Sequence, residues 1–266
     1  MADFLTVCEA AARAGGRVLL DWQHRFTPKE KSPRDLVTQA DLESQRAIRK
    51  VILTAFPDHD FLGEEDAGLA AEGDASARNP DSPFRWIVDP LDGTANYVHR
   101  LQTFAVSIAL TFHGELIVGC VLDPVSNECY LAARGQGATL NGNRIESSIC
   151  VDPGQAMVAV SFSPNVHRES IEISRFVETL DACQSVRRLG SAALNLAYVA
   201  AGRLDCYFTT SVNAWDVAAG FLLVEEAGGI ICGLEGEKVS LDRPHFIASS
   251  TAELSAAMRG VLARAT

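Results

Sequence analysis

The sequence predicts an α/β protein built of layered sheets and helices, and three observations carry that reading. From about Val151 onward, short apolar runs of strand length alternate with stretches of helical periodicity. Ahead of them, two amphipathic helical stretches near the start of the chain are followed by β-rich runs as far as Ala133. Within that β-rich region, Trp86-Ile87-Val88 ends in Asp89-Pro90-Leu91-Asp92-Gly93-Thr94, where strand chemistry gives way to turn and helix-start chemistry.

Taken in order, Phe4 to Trp22 carries Leu5, Cys8, Ala12, Val18 and Leu19 at mixed three and four spacing, an amphipathic helix despite Gly15 and Gly16. The polar stretch from Phe26 to Arg34, with Lys29, Glu30, Lys31, Ser32 and Pro33, reads as an exposed, mobile loop. Asp35-Leu36-Val37-Thr38-Gln39-Ala40-Asp41 then leads into a helix marked by Leu42, Ile48, Val51, Ile52 and Phe56 and closed by Pro57 and Asp58. Thr38 and Asp41 have the spacing of a capping arrangement, so this segment alone leaves Asp41 either a capping acid or a functional one. Phe61-Leu62-Gly63 is a short apolar piece ending in Glu64 and Glu65, and Asp66 to Ser82 reads as a surface loop.

Phe104 to Phe112 and Glu115 to Leu122 form a hairpin over His113-Gly114; Glu128 to Ala133 continues the sheet, and Asn141-Gly142 marks a tight turn. Further strands are expected at Met157 to Phe162, Ser185 to Leu189 and Leu204 to Phe208, with helices at Arg168 to Leu180 and Ala192 to Ala201. Ala214-Trp215-Asp216 opens another helix, with Val217, Phe221 and Val224 on its apolar face and Gly228-Gly229 at its end. A soft boundary near residue 150 separates an N-terminal α+β half, 1–150, from a C-terminal α/β half, 151–266, the two sharing a cleft within one unit.

Composition narrows the function. At 266 residues and 47% hydrophobic content, the chain can bury a real core. The formal net charge of −11 argues against non-specific binding to nucleic acid or an anionic membrane, each of which needs a basic face. An anionic substrate must then be held by metal ions, helix amides or a few local cations. The seven cysteines include no C-x-x-C pair and follow no signal peptide, so they read as buried free thiols of a reducing cytoplasm. No apolar run approaches the roughly 20 residues that a membrane span requires.

Asp89 and Asp92 offer two hard oxygen donors three residues apart, a set suited to Mg²⁺ or Ca²⁺ rather than zinc. The amides of Gly93, Thr94 and Ala95, opening a helix, would face an anion. D-P-x-D-G alone is an ordinary loop, and Asp216 alone is an acid balancing a helix dipole. Yet Asp41, Glu64, Asp89, Asp92 and Asp216 all fall at junctions between regular elements. Shared divalent cations explain five such acids better than five unrelated caps, because buried like charges otherwise repel and take up protons.

On Gly63-Glu64-Glu65, Trp86 to Thr94 and Trp215-Asp216-Val217-Ala218-Ala219-Gly220, in that order, the chain resembles the inositol monophosphatase family of Mg²⁺-dependent, lithium-sensitive phosphatases. Asp35 to Thr38 with Asp41, Gly190-Ser191-Ala192-Ala193 and Glu226 to Gly229 extend the match over nearly the whole chain. The resemblance implies alternating α-β-α-β-α layers, a homodimer, and two to three Mg²⁺ ions per site. It implies that Glu64, Asp89 and the carbonyl of Leu91 hold a first ion, and that Asp89, Asp92 and Asp216 hold a second. A third, weaker ion would rest mainly on Glu64. Thr94, hydrogen-bonded to Asp41, would orient and deprotonate the attacking water, and the Gly93, Thr94 and Ala95 amides would bind phosphate oxygens. Ser191 would cap a helix near the substrate and offer the Ala192 amide, with Thr209 and Asp216 also at the substrate.

Ala95-Asn96-Tyr97-Val98-His99 is close to the Thr-Asn-Phe-Val-His of inositol-acting members, which favours a small polyol phosphate such as inositol 1-phosphate. Two positions depart from that pattern: Ala95 replaces a Thr, and Thr209 stands where those members carry a Glu that grips ring hydroxyls. Histidinol phosphate, fructose 1,6-bisphosphate and 3′-phosphoadenosine 5′-phosphate are the alternative substrates, and a non-catalytic regulator is the alternative of a different class. His99 reads as structural or at the pocket rim, Lys29, Lys31 and Arg34 as a solvated loop, and Trp86 and Trp215 as core anchors.

Overall fold

Stripes at three and four spacing become helices laid on the β-rich runs in the computed structural model, which describes residues 2–23, 25, 29–32, 35–66, 79–163 and 165–265. Helix α1 (Ala2–Trp22) lies against α2 (Gln39–Ala55). Gly15 marks that closeness, since a Cβ there would come within 2.7 Å of the Ile48 side chain; Gly16 marks a close approach to the sheet, where a Cβ would come within 2.9 Å of Leu122. Between the helices, β1 (Lys29–Ser32) and β2 (Asp35–Val37) pair antiparallel, which corrects the expected loop. Strands of four and three residues are too short for an apolar alternation to be read. Arg34, and most of the surface loop expected between Asp66 and Ser82, lie outside the described residues.

The sequential strands β3 (Asp60–Gly63), β4 (Phe84–Asp92), β5 (Ala105–Phe112), β6 (Glu115–Asp123), β7 (Glu128–Ala133), β8 (Gly137–Leu140) and β9 (Asn143–Ile145) form a sheet of seven in that order. Short α3 (Thr94–Val98) separates β4 from β5. The sheet is buried on both faces. Trp86, Val88, Ile108, Leu110 and Cys120 pack with α1 and α2, whereas Ile87, Ala105, Ala109 and Val121 join a second core on the other side.

The second sheet contains β10 (Met157–Val160), β11 (Ser185–Arg187), β12 (Cys206–Thr209), β13 (Ile230–Cys232) and β14 (Phe246–Ser249), ordered β11-β10-β12-β14-β13. The first three are parallel and the last two antiparallel to their neighbours. Helices α5 (Ala192–Ala200) and α6 (Ala214–Glu226) fill the space between the sheets, packing on Ala159, Tyr207 and Ala248. Helices α4 (Ile171–Ala182) and α7 (Ala252–Leu262) cover the outer face, on Val158, Val160, Cys206 and Ile247. The result is the α-β-α-β-α layering that the resemblance implied. Sequence periodicity identified neither β13, β14 nor α7. No helix of the described residues is long and apolar enough to cross a membrane. All seven cysteines are free, and Cys150, Cys183 and Cys232 are only partly buried.

Candidate active site

The site begins with a fault in a ladder. Asp89 stands opposite Ser107 and Asp92 opposite Ala105, so three steps along β4 match two along β5. In an unbroken strand residues three apart point to opposite faces, and one bulged residue brings them back to the same side. The bulge is fixed in place: the Ser44 hydroxyl donates to the Pro90 carbonyl at 3.0 Å, and the Leu91 amide to Asp89 Oδ1 at 2.9 Å. Gly93 follows at φ 90°, and a Cβ there would lie 3.0 Å from the Thr103 carbonyl. Glycine alone turns the chain into α3 without strain.

Asp92 reaches across to the N-terminus of α5. Its Oδ1 accepts the Ala192 amide at 3.2 Å, and its Oδ2 accepts the Ala193 amide at 2.8 Å and the Ser191 hydroxyl. Burial pushes the Asp92 carboxyl up to about 6, against the pull of these three donors. Asp216 enters from the first turn of α6, where the Asn213 amide donates to its Oδ2 at 2.6 Å. Desolvation, then repulsion from Asp92 and Glu64, pushes Asp216 up to about 8. Asp89 is driven well above the usual carboxylate range by burial first, then by Glu64, Asp92 and Asp216, and it shares a hydrogen bond with Glu64. Glu64 follows β3, its amide donating to the Val88 carbonyl at 3.0 Å.

One oxygen from each of Asp89, Asp92 and Asp216 lies within 4.8 Å of the others. Three acids so close, two of them buried, cannot all ionise without a compensating charge. An oxygen-only donor set of this kind fits a hard divalent cation such as Mg²⁺.

Asp41 caps its helix and also faces Thr94. Its Oδ2 accepts the Thr38 amide at 2.9 Å and the Thr38 hydroxyl at 2.6 Å, capping α2. Its Oδ1 faces Thr94 Oγ1 at 3.4 Å, and that hydroxyl also lies 3.1 Å from the Leu91 carbonyl.

A cleft of about 650 Å³ opens over the acids, with Glu64, Asp92, Gly190, Ala192 and Asp216 among its lining residues. Asp89 is buried. Ser191 caps α5 as expected, its hydroxyl accepting the Leu194 amide at 3.2 Å, while it and Thr209 both lie beneath the cleft surface. Ser191 is fully buried with its hydroxyl given to Asp92, and the Ala192 amide, although in the cleft wall, is given to Asp92 as well. Thr209 is buried at the end of β12 and accepts the Ser211 amide at 3.3 Å; its neighbour Thr210 lines the cleft instead. His99 is an exposed residue closing α3, and Trp86 is fully buried. Sequence reasoning missed Arg188, Arg243 and His245, which also line the cleft. Arg188 carried a usable signal, standing just past β11, at the carboxyl end of a parallel strand where open α/β sheets bind ligands. Arg243 and His245 carried none, because no periodicity leads into β14.

Comparison with known proteins places these features in context. The model of the inositol monophosphatase family matches residues 2–265. The Nus factor SuhB of Pasteurella multocida is 38% identical over 254 residues, covering 94% of this chain and 92% of that protein. The extragenic suppressor protein suhB of Bartonella henselae superposes with a TM-score of 0.91 at 32% identity, over 99% of this chain and 100% of that one. An IMPase/NADP phosphatase complexed with Mg²⁺ and phosphate superposes with a TM-score of 0.80 at 26% identity, over 92% and 89%.

Proposed function

The chain belongs to the inositol monophosphatase family, and from that premise we propose that it hydrolyses a small phosphate monoester with the help of Mg²⁺. The observation that carries this reading is the convergence of Glu64, Asp89 with Asp92, and Asp216 from three distant stretches of sequence at one cleft. Glu64, Asp89 and the Leu91 carbonyl would hold one ion, and Asp89, Asp92 and Asp216 a second; Glu64 would serve a weaker third. When bound, such ions supply positive charge that clamps phosphoryl oxygens and sharpens a water nucleophile.

The chain's own groups do the rest. Thr94 Oγ1 accepts a proton from the attacking water as its own proton moves toward Asp41 Oδ1, the partner 3.4 Å away. The amides of Gly93, Thr94 and Ala95 open α3, where backbone donors lack intrahelical partners, and they bind the phosphate oxygens. Asp92 is held still by Ser191, Ala192 and Ala193. Inositol 1-phosphate or a similar polyol phosphate is the first substrate to try; sensitivity to Li⁺ and a homodimer belong to the same reading.

A second reading rests on the relatives named Nus factor SuhB, the first at 38% identity: a regulator that works through its surface and leaves the cleft idle. The acidic cluster favours hydrolysis. Phosphate release from inositol 1-phosphate, histidinol phosphate, fructose 1,6-bisphosphate and 3′-phosphoadenosine 5′-phosphate, with Mg²⁺ and with chelator, separates the two. Metal-dependent turnover of any of them supports the phosphatase; none on all four supports the regulator.

A further inference from the structure

One wall of the cleft has no task in the hydrolysis just described. The parallel strands β10, β11 and β12 end side by side, Ala159 standing opposite both Arg187 and Tyr207. The residues that follow them, Phe162, Arg188 and Thr210, therefore rise together into the cleft that also holds Glu64, Asp92 and Asp216. Strand β14 pairs with β12, Thr209 opposite Phe246, and this brings Arg243 and His245 to the same rim.

The Arg188 guanidinium carbon sits 5.5 Å from the centre of the Phe162 ring, which steadies its planar fork. Among the described residues neither Arg188 nor Arg243 forms an ion pair, whereas Arg13, Arg46, Arg49, Arg85, Arg134 and Arg203 each do. Two acids stand close by. Glu172 is engaged by the Ser163 amide at 3.0 Å and the Thr210 hydroxyl at 3.3 Å, and Asp242 lines the cleft beside Arg243. A guanidinium without a carboxylate partner, open to a cleft, has the geometry for bidentate capture of a phosphate or carboxylate. A neutral polyol would leave that charge unused. The cleft, at about 650 Å³, has room beyond a single phosphoryl group.

We propose that Arg188, supported by Arg243, binds a second anionic group on the substrate, so that the cleft selects phosphate esters bearing a further phosphate or carboxylate away from the scissile bond. This rests on the hydrolysis proposed above and narrows its substrate class.

The test is calorimetric titration of the full chain with Ca²⁺ in place of Mg²⁺, using two ester pairs that differ in one anionic group. These are fructose 1,6-bisphosphate with fructose 1-phosphate, and 3-phosphoglycerate with glycerol 3-phosphate. A charge-assisted hydrogen-bonded pair leads to an expected preference of about 10- to 100-fold for the fructose bisphosphate. Arg188→Gln is expected to bring that ratio to about 2 or less, with Arg188→Lys retaining part of it, since lysine keeps the charge without the fork. A matching preference for 3-phosphoglycerate makes any second anion the recognised group, and a preference confined to the bisphosphate makes it phosphate. Equal affinities in the wild type, or a preference that survives Arg188→Gln, overturn the proposal. Mg²⁺-dependent phosphate release from fructose 1-phosphate is measured alongside. Its absence counts against hydrolysis, while the affinity ratio still decides the role of Arg188.

Discussion

The Ser191 hydroxyl donates to the carboxylate of Asp92, 99 residues earlier in the chain. An acid at the carboxyl end of β4 is thereby locked to a helix that packs between the two sheets. Ser191→Ala removes a donor that holds the Asp92 carboxyl down, against burial that drives it up to about 6. A hydrogen bond to a charged group contributes about 1.5–3 kcal/mol, so kcat/KM at pH 7 and limiting Mg²⁺ is expected to fall about tenfold or more. The loss should be greater at pH 6 than at pH 8. Ser191→Thr should restore most of the activity. A Mg²⁺ titration of activity at several pH values checks this, and an unchanged Mg²⁺ requirement in Ser191→Ala would contradict it.

The acidic cluster also sets a pH dependence of stability. Asp92 and Asp216 are raised from 3.8 to about 6 and about 8. A carboxyl raised in the folded state favours the protonated form, so its contribution is fully present below about pH 4 and is lost as pH rises through the folded value. Metal-free protein should therefore lose Tm between pH 5 and pH 8, and Mg²⁺, which needs the ionised acids, should raise Tm more at pH 8 than at pH 6. Asp216→Asn keeps an acceptor for the Asn213 amide while removing the charge. It should raise Tm in chelator at pH 8 by several degrees, at about 2–4 °C per kcal/mol for a chain of this size. Turnover should fall by about a thousandfold or more. Melting curves with and without chelator test both halves, and a lowered Tm for Asp216→Asn in chelator would refute the repulsion argument.

What could be read from the sequence, and what could not, follows from the range of the forces involved. Apolar spacing revealed α1, α2 and the β4 to β7 ladder because each element's periodicity is local. The acids at element junctions were visible for the same reason. The bulge that turns Asp89 and Asp92 to one side was not, since it depends on how β5 pairs with β4. Nor was the link between Ser191 and Asp92, which exists only once the two sheets are stacked. Thr209 shows how fine the limit is: it is the last, buried residue of β12, and Thr210, one step beyond the strand's end, lines the cleft. Strands β1 and β2, of four and three residues, are too short to carry a pattern.

Thr94 Oγ1 stands between Asp41 Oδ1 and the Leu91 carbonyl, at 3.4 and 3.1 Å. If this hydroxyl relays the proton of the attacking water, Thr94→Val should lower kcat by about 10²- to 10³-fold while changing KM little. Thr94→Ser, which keeps the oxygen, should recover most of the rate. Steady-state kinetics on one phosphate ester at saturating Mg²⁺ decides the matter. A Thr94→Val enzyme with a raised KM and an unaltered kcat would assign the hydroxyl to binding instead.

At the far end of β4 a second titration acts with the opposite sign. His59 is stacked between Phe56 and Phe84, with ring centres 4.7 and 4.5 Å away, and its Nδ1 accepts the indole N–H of Trp86 at 3.1 Å. Burial lowers its pKa from 6.5, with Asp58 opposing weakly. A histidine lowered in the folded state favours the neutral ring, so its contribution is full above pH 6.5 and is lost as pH falls toward the folded value. Protonation would also place an N–H against the Trp86 donor. His59→Phe keeps the stacking and deletes the titration. The variant should be less stable at pH 7.5, where the Trp86 N–H loses its acceptor, and the gap in Tm between it and the wild type should narrow as pH falls from 7 to 5. Taking the difference between the two proteins cancels the carboxyl contributions, which both share. Parallel Tm profiles across that range would show that His59 does not titrate within the fold.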